Sequence, residues 1–115
     1  MADEAHPDRV TEGLEGIDRL IHEPARLAIT ARLYVVEEAD WLFLHHQTGL
    51  SFGNLASHLT RLEAAGYIES EKTFIDRKPH TTVRLTGAGR RAFESYRQQM
   101  TGWLRGESGT VEADR

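Results

Sequence analysis

Short polar side chains and one guanidinium group recur in the middle of the chain, at positions that would share one face of an α-helix. Asparagine can pair with adenine, and arginine with guanine, at the base edges of a DNA major groove, while a serine hydroxyl can bind a base or a phosphate. Taken alone, the same pattern is also typical of an ordinary solvated helix face. The candidate DNA-binding residues of this segment are Ser51, Gly53, Asn54, Ser57, His58 and Arg61.

A second group of candidate residues lies between two segments whose composition is typical of strands. Arg77 and Lys78 stand beside Pro79, which cannot donate a ladder hydrogen bond, so Ile75 to His80 is predicted to be a loop at the tip of a hairpin. Cations at an exposed tip can neutralise phosphates or reach into a minor groove. A solvated hairpin end is the alternative. Arg77, Lys78 and His80 are the candidate DNA-binding residues of the hairpin.

A helix over residues 51–65 would position the first group. Ser51 can cap it, because the serine hydroxyl can accept a hydrogen bond from a free N–H in the first turn. Leu55, Leu59 and Leu62 follow at spacings of four and three, so they share one face that is expected to be buried. The glycine that follows predicts a left-handed end to the helix.

Two strands and a further helix follow this segment. Tyr67 to Phe74 and Thr81 to Leu85 are rich in β-branched and aromatic residues, which strands favour. Thr86 can cap a helix that opens with the sequence TGAGRRAF. Arg90 and Arg91 lie near the start of that helix, where cations oppose the helix dipole. A nearby carboxylate or phosphate is therefore expected to bind them.

The preceding part of the chain predicts the core and a positioning helix. Residues 14–21 carry apolar side chains at helical spacing and predict a short first helix. Pro24 suits the first turn of a second helix, whose residues 27–36 are almost all apolar and are expected to be buried on most sides. Asp40 can cap a short helix over residues 41–47, although their composition also fits a strand. A glycine-containing turn then leads into the next helix, as in a helix-turn-helix.

The last helix carries an apolar stripe that is longer than a small domain can cover. Part of the stripe must pack against the core of its own chain. Together with the predicted first helix, the stripe could also form a dimer surface, and a two-fold dimer would bind half-sites about one helical turn apart. The candidate dimerisation residues are Leu14, Ile17, Leu20, Phe93, Tyr96, Met100 and Trp103.

The stretch NLASHLTRLEAAGYIESEK, a basic turn and VRLTGAGRRAF resemble the winged-helix transcriptional regulators related to the MarR and ArsR groups. The resemblance extends back to Pro24. It implies an α+β fold that is mostly α: a winged helix-turn-helix with a two-stranded β wing and flanking N- and C-terminal helices. It also implies a homodimer on double-stranded DNA, with one helix in the major groove and the wing on the backbone or minor groove. The matching motifs are His58-Leu59, Leu62-Glu63, Gly66-Tyr67-Ile68 and Leu85-Thr86-Gly87-Ala88-Gly89.

The 115 residues, with 39% hydrophobic composition and no cysteine, predict one soluble domain without disulfides or thiolate metal sites. We expect a mobile N-terminus over residues 1–12, a winged-helix DNA-binding and dimerisation domain over 13–105 and a disordered tail over 106–115. The acidic N-terminus lacks the apolar segment of a signal peptide, and no apolar run is long enough to span a membrane. A cytoplasmic protein without a membrane partner is therefore expected.

The overall net charge of −4 counts against a nucleic-acid binder. Residues 51–91, however, contain seven Lys and Arg against four Asp and Glu, for a local charge of +3, and the remainder carries −7. Positive charge is thus concentrated in the candidate DNA-binding segment. The alternative is a winged helix that binds another protein through an acidic surface and does not bind DNA.

Patterns typical of enzymes and metal sites are absent from the sequence. We find no phosphate-binding glycine loop and no placed nucleophile and base, so no enzyme and no cofactor is expected. His45 and His46 are adjacent and would point about 100° apart on a helix, so no metal site is expected. A small-molecule effector would be expected if the aromatic residues line a pocket, but plain core packing is the preferred explanation. Those aromatic residues are Tyr34, Trp41, Phe43 and Trp103.

Overall fold

The computed structural model describes residues 12–106, within which four helices and one three-stranded antiparallel sheet form the predicted α+β, mostly α fold. The strand order in the sheet is β1-β3-β2. Apart from Glu12 and Gly106, the predictions for residues 1–12 and 106–115 lie outside the described residues. The elements are α1 (Pro24–Val36), β1 (Ala39–Asp40), α2 (Trp41–Thr48), α3 (Phe52–Ala64), β2 (Ile68–Ile75), β3 (Lys78–Leu85) and α4 (Gly87–Leu104).

Each of the four helices begins after a residue whose side chain accepts a hydrogen bond from a backbone N–H of the first turn, at 2.8–3.1 Å. Such caps satisfy N–H groups that have no partner within the helix. The predicted caps of α2, α3 and α4 are confirmed, and a helix rather than a strand follows Asp40. Glu23 caps α1, which the sequence analysis did not identify. The capping residues are Glu23, Asp40, Ser51 and Thr86.

The sheet has one strand more than the two-stranded wing that the sequence predicted. Ala39 and Asp40 form the short β1, which pairs with Val83 and Thr82 of β3. A strand of two residues is too short to show an alternating pattern, so periodicity could not reveal it. Asp40 is both the last residue of this strand and the cap of α2. This double role fixes the start of α2 against the sheet.

The β2–β3 hairpin, here called the wing, is longer and tighter at its tip than predicted. The strands continue to Ile75 and from Lys78, so the connection is a two-residue turn rather than a six-residue loop. Asp76 and Arg77 have φ angles of 52° and 67°. Positive φ at both central residues is the mark of a type I′ turn, whose twist matches that of the flanking strands.

Pro79 lies within β3, opposite Phe74, and not in a loop. The expectation that Pro79 would block pairing was wrong for a topological reason. The short β1 reaches only Thr82 and Val83, so one edge of β3 is open at Pro79. Edge positions tolerate proline because no neighbouring strand needs its N–H.

The leucine face of α3 is buried, as predicted, in a core formed with α1 and the sheet. Leu55 and Leu62 are inaccessible to solvent and Leu59 nearly so. The middle of α1 is also buried, but Val35 and Val36 at its end are exposed, so α1 is less enclosed than its composition indicated. This first cluster consists of Ile29, Leu33, Ala39, Leu44, Leu55, Leu59, Leu62, Ile68, Val83 and Leu85.

Residues 12–23 form turns rather than the predicted first helix. Gly13 and Gly16 have positive φ angles of 97° and 79°, which a helix does not allow. Asp18 accepts hydrogen bonds from the backbone N–H groups of Leu20 and Ile21, which stabilises the turn. The apolar residues of this segment are nevertheless buried against α4, in a second cluster. That cluster consists of Leu14, Ile17, Ile21, Phe93 and Tyr96.

The end of α3 meets the start of α4 at a contact that we call the junction, formed by Gly66, Tyr67, Thr86 and Gly89. The Thr86 hydroxyl donates to the Gly66 carbonyl at 2.6 Å, and the Thr86 N–H donates to the Tyr67 carbonyl at 2.9 Å. A Cβ atom on Gly89 would lie 2.1 Å from the Tyr67 carbonyl oxygen. Only glycine therefore allows α4 to start this close to the end of α3.

Candidate nucleic-acid interface

The polar side of α3 is exposed along most of its length. Ser51, Asn54, Ser57 and Arg61 are all exposed, and the spacing of the last three places them away from the buried leucines. The side chains of Asn54, Ser57 and Arg61 make no hydrogen bond or ion pair with any residue in the range 12–106. Hydrogen-bonding groups on a well-anchored helix are thus available to an external partner.

Gly53 lies in the first turn of α3 and is not required by packing. A Cβ atom built there would meet no heavy atom within 4 Å. Glycine in a helix costs about 1 kcal/mol relative to alanine, so the fold alone does not account for its presence. A small residue at an exposed helix start leaves room for close approach by a ligand backbone.

His58 is half-buried and faces α1 rather than solvent. The Arg26 guanidinium donates to its Nδ1 at 3.1 Å, and a Glu23 carboxylate oxygen lies 3.9 Å from the same nitrogen. Arg26 also donates from Nε to the Leu20 carbonyl. The Arg26 N–H, which donates to the Glu23 carboxylate, holds the pKa of that group below its usual value. His58 therefore joins α3 to the start of α1.

Sequence reasoning missed Glu23 and Arg26 as residues that orient α3. An acidic residue directly before Pro24 was the available signal, because such a residue can cap a helix that begins with proline. No pattern in the sequence, by contrast, connects Arg26 with His58, since they lie 32 positions apart. Their contact depends on how α1 and α3 pack.

The turn between α2 and α3 is fixed by His45. Its Nδ1 donates to the Leu50 carbonyl at 2.7 Å, and its ring stacks on Phe52 with 4.3 Å between centroids. Gly49 takes the left-handed conformation that ends α2, with φ of 75°. These contacts set the direction in which α3 leaves α2. His45 thus has a positioning role within the helix-turn-helix.

The wing presents exposed cations at its tip. The side chains of Arg77 and Lys78 make no hydrogen bond or ion pair with other residues of the described part of the chain, and both residues are exposed. His80 is half-buried beside a cleft of about 360 Å³ that separates the wing from the starts of α2 and α3. The wing and α3 thus border the same cleft. Its lining residues are Asp40, Trp41, Leu42, Phe52, Pro79, His80 and Thr81.

Arg84, farther from the tip, is surrounded by carboxylates. Its guanidinium lies 2.9 Å from Glu69, 3.5 Å from Glu71 and 3.9 Å from Glu38. The hydrogen bond with Glu69, followed by the attraction of its charge, raises the pKa of Arg84 above its ordinary value. This cation is compensated locally, so the base of the wing is acidic whereas the tip is basic.

Arg90, for which the sequence indicated a carboxylate or a phosphate, contacts Tyr34 of α1 within the described residues. Its guanidinium donates to the Tyr34 carbonyl at 3.2 and 3.5 Å and lies over the Tyr34 ring, 4.8 Å from the centroid. The last carbonyls of a helix have no partner within the helix and carry partial negative charge. A cation of α4 therefore stabilises the end of α1.

The candidate dimerisation residues are largely covered within one chain. Leu14, Ile17, Phe93 and Tyr96 are buried in the second cluster, and the other three candidates are half-buried. Leu104 at the end of α4 is 72% exposed. The predicted dimer stays a prediction, and its contacts would involve the outer side of this stripe.

The aromatic residues considered for an effector pocket pack in different places. Trp41 and Phe43 lie against the first cluster, Trp103 lies against the second, and Tyr34 touches both. They therefore belong to core packing on two sides of α1.

Within residues 12–106, no group of three or more His, Cys, Asp or Glu side chains is arranged to hold a metal ion. His46 is exposed, and His45 is occupied by the contacts described above. Among the described helices, none is long and apolar enough to cross a membrane.

Comparison with known proteins agrees with this geometry. The sequence model of a family described as the winged helix DNA-binding domain matches residues 25–104. An uncharacterised protein of Methanocaldococcus jannaschii is 33% identical over 78 residues, which cover 68% of this chain and 85% of that protein.

Solved structures show the same fold. The structure of a transcriptional regulator homologue from Pyrococcus horikoshii is similar with a TM-score of 0.75 and 25% identity, covering 86% of this chain and 96% of that one. A mutant MarR from E. coli has a TM-score of 0.69 at 20% identity and covers 91% of this chain and 74% of its own. With its helix-turn-helix, wing and matched span, this chain belongs to the family of winged helix DNA-binding domains found in transcriptional regulators.

Proposed function

We propose that the chain is a sequence-specific DNA-binding transcriptional regulator that acts as a homodimer. In each protomer, α3 enters the major groove and the wing contacts the backbone or minor groove. One observation carries the proposal: the side chains of Asn54, Ser57 and Arg61 on α3 and the cations of the wing tip are exposed and have no partners within the described residues. The wing and the start of α3 also border one cleft. Two cations outside the wing tip, Arg84 and Arg90, are already bound.

The residues of α3 divide into base-reading and positioning groups. Asn54, Ser57 and Arg61 are exposed and chemically suited to base edges or phosphates. Ser51 and Gly53 stand at the helix start, where free N–H groups and a small side chain favour close approach of a phosphate. His58 contributes indirectly, because it holds α3 against Arg26.

The wing supplies the electrostatic part of the affinity. Arg77 and Lys78 at the tip neutralise phosphates, and His80 lies on the side of the cleft. The overall charge of −4 and the carboxylates around Arg84 oppose binding elsewhere on the surface. Affinity is therefore concentrated at the wing tip and α3, and it decreases steeply as salt increases.

Dimerisation uses the end of α4 together with the outer side of the N-terminal segment. Leu104 is exposed and Met100 and Trp103 are half-buried, which leaves apolar area for a second copy. A two-fold axis there would present two α3 helices to half-sites about one helical turn apart. Sedimentation of the wild type and of Leu104→Glu tests this point, and a wild-type monomer at the concentrations that bind DNA would contradict it.

Fluorescence anisotropy tests DNA binding, with duplexes that the protein itself selects from a random pool. Arg77→Ala combined with Lys78→Ala should weaken binding to all sequences and reduce the salt slope by about 2. Asn54→Ala should instead relax base preference at one position, at a cost of about 1–3 kcal/mol. Arg84→Gln is the matched control, because that cation is compensated by carboxylates. Absence of binding by the wild type at low salt would contradict the proposal.

A second candidate function is a protein-interaction module. The observation that favours it is the group of Glu38, Glu69 and Glu71 around a single arginine at the base of the wing. This alternative predicts a stable protein partner that is lost when the carboxylates are replaced by Gln, with no retention of DNA. The same anisotropy experiment separates the two candidates.

A further inference from the structure

Two large apolar side chains are exposed at the tip of the wing. Phe74 is 69% exposed and Ile75 is 56% exposed. Scattered exposed apolar residues are common, but two neighbours at the end of a projecting hairpin form a local apolar feature. From the sequence alone, neither residue is expected to have a function: Phe74 is expected in a strand and Ile75 in the loop at the hairpin tip.

The shape of the wing makes its tip suitable for insertion into a groove. β1 pairs only with Thr82 and Val83, so the part of the hairpin beyond these residues is a ribbon of two strands. The two-residue turn at Asp76 and Arg77 keeps its end narrow. Side chains alternate between the faces of a strand, so Phe74 and Ile75 lie on opposite faces of the ribbon.

Charges beside the apolar pair identify the type of partner. Ile75 is directly opposite Lys78, and Phe74 is one position farther from the turn, opposite Pro79. Arg77 and Lys78 form no ion pair within the described range. A narrow tip that carries an exposed apolar side chain on each face together with free cations complements a nucleic-acid groove, in which base and sugar surfaces lie between two rows of phosphates.

We infer that the wing inserts Phe74 as an apolar wedge at a base step of the minor groove and bends the duplex there. Arg77 and Lys78 bind the phosphates on either side. Wedges of this kind partly unstack a step and kink DNA by about 20–90°. Pyrimidine–purine steps are the most easily deformed, so the wing would favour such a step without reading base edges. This inference rests on the proposed function and adds a mode of recognition to it.

Two readouts on one duplex test the wedge. The duplex is again one that the protein selects from a random pool. Donor and acceptor dyes at its ends report the bend, and 2-aminopurine at the pyrimidine–purine step that the wing reaches reports unstacking. On binding of the wild type, the end-to-end distance should shorten and the 2-aminopurine fluorescence should increase.

Variants of Phe74 separate the wedge from the electrostatic contacts. Phe74→Ala should abolish both signals and weaken binding about tenfold, because stacking is lost, while the salt slope stays unchanged. Phe74→Leu should retain part of the bend, since leucine also acts as a wedge. Arg77→Ala should reduce the salt slope by about 1. Val35→Ala, at an exposed apolar residue of α1, is the matched control and should change neither signal.

The outcomes distinguish this inference from the proposed function. If the wild type binds the duplex but Phe74→Ala bends and unstacks it equally, the wedge is overturned and the proposed function stands. If the wild type selects and binds no duplex at low salt, the proposed function fails and the wedge with it. Because Phe74 is exposed, far-UV circular dichroism should show the same fold for every variant.

Discussion

Gly89 at the junction and Gly53 at the start of α3 show that one residue type can be present for opposite reasons. Both lie in the first turn of a helix. A Cβ atom at Gly89 would overlap the Tyr67 carbonyl, whereas a Cβ atom at Gly53 would meet open space. The junction is closed and needs glycine for folding. The start of α3 is open, so its glycine is better explained by what binds there.

The largest effect expected from this comparison is that of Gly89→Ala. The added methyl group overlaps a backbone oxygen, so α4 must shift away from the end of α3. Overpacking of this kind costs about 1–3 kcal/mol and sometimes more, and we expect a value near the upper limit. Urea unfolding measures the loss. A variant as stable as the wild type would show that the junction is looser than its geometry indicates.

Thr86, which caps α4, and Ser51, which caps α3, give a second contrast. Thr86 accepts from the Gly89 N–H and donates to the Gly66 carbonyl, whereas Ser51 only accepts, from the Asn54 N–H. We expect Thr86→Ala to cost about 2 kcal/mol and Ser51→Ala about 1 kcal/mol of unfolding free energy. Thr86→Ser keeps the hydroxyl and should restore most of the loss. Equal losses of unfolding free energy for Thr86→Ala and Ser51→Ala would remove the distinction between the junction and the start of α3.

A smaller effect of opposite sign is expected for Gly53→Ala. Alanine favours the helix, so the unfolding free energy should increase by about 0.5–1 kcal/mol. DNA affinity should nevertheless decrease, because the methyl group occupies space into which the DNA backbone is proposed to fit. Unfolding and anisotropy measured on the same variant check both parts. Increased stability with unchanged affinity would mean that DNA does not approach Gly53.

A further effect, confined to alkaline pH, concerns the pH dependence of the junction. The Tyr67 hydroxyl donates to Asp18, and this hydrogen bond, together with burial, raises the pKa of Tyr67 from 10.0 to about 12. Since the folded state holds the proton more tightly, this contribution is present below pH 10 and is lost as pH increases toward 12. Tyr67→Phe should therefore lose less stability than the wild type across this window.

Unfolding midpoints measured between neutral pH and pH 12 follow this difference. Burial also raises the pKa of Tyr96. Part of the decrease in stability at alkaline pH should therefore persist in Tyr67→Phe. If plots of the unfolding midpoint against pH are parallel for the wild type and Tyr67→Phe, the hydrogen bond to Asp18 has no effect on stability.

Local features of this fold could be predicted well. The caps at Asp40, Ser51 and Thr86 depend on the three residues that follow each of them, and the buried face of α3 follows from the leucine spacing alone. Features that depend on neighbours distant in sequence were missed or wrong. Pro79 lies in a strand because β1 stops short of it, and residues 12–23 are turns that still bury their apolar side chains against α4.

The residues of the candidate interface also divide into those that a local pattern identifies and those that depend on distant neighbours. Residue type and spacing identified Asn54, Ser57 and Arg61 on α3 and the cations of the wing, because hydrogen-bonding chemistry and helical period are properties of a short segment. The roles of His58 and Arg90 could not be identified, since each faces a group on α1 more than 30 positions away.

By itself, therefore, the sequence determined the four helices α1 to α4, the caps of α2, α3 and α4, the leucine face and the chemical types available for DNA. The tertiary structure alone decided which of these groups remain free. Packing of α1 against α3 and α4 occupies His58 and Arg90, and strand pairing brings carboxylates to Arg84. The same pairing leaves the tip of the wing, with Phe74, exposed. Availability depends on contacts between distant segments, which no local pattern records.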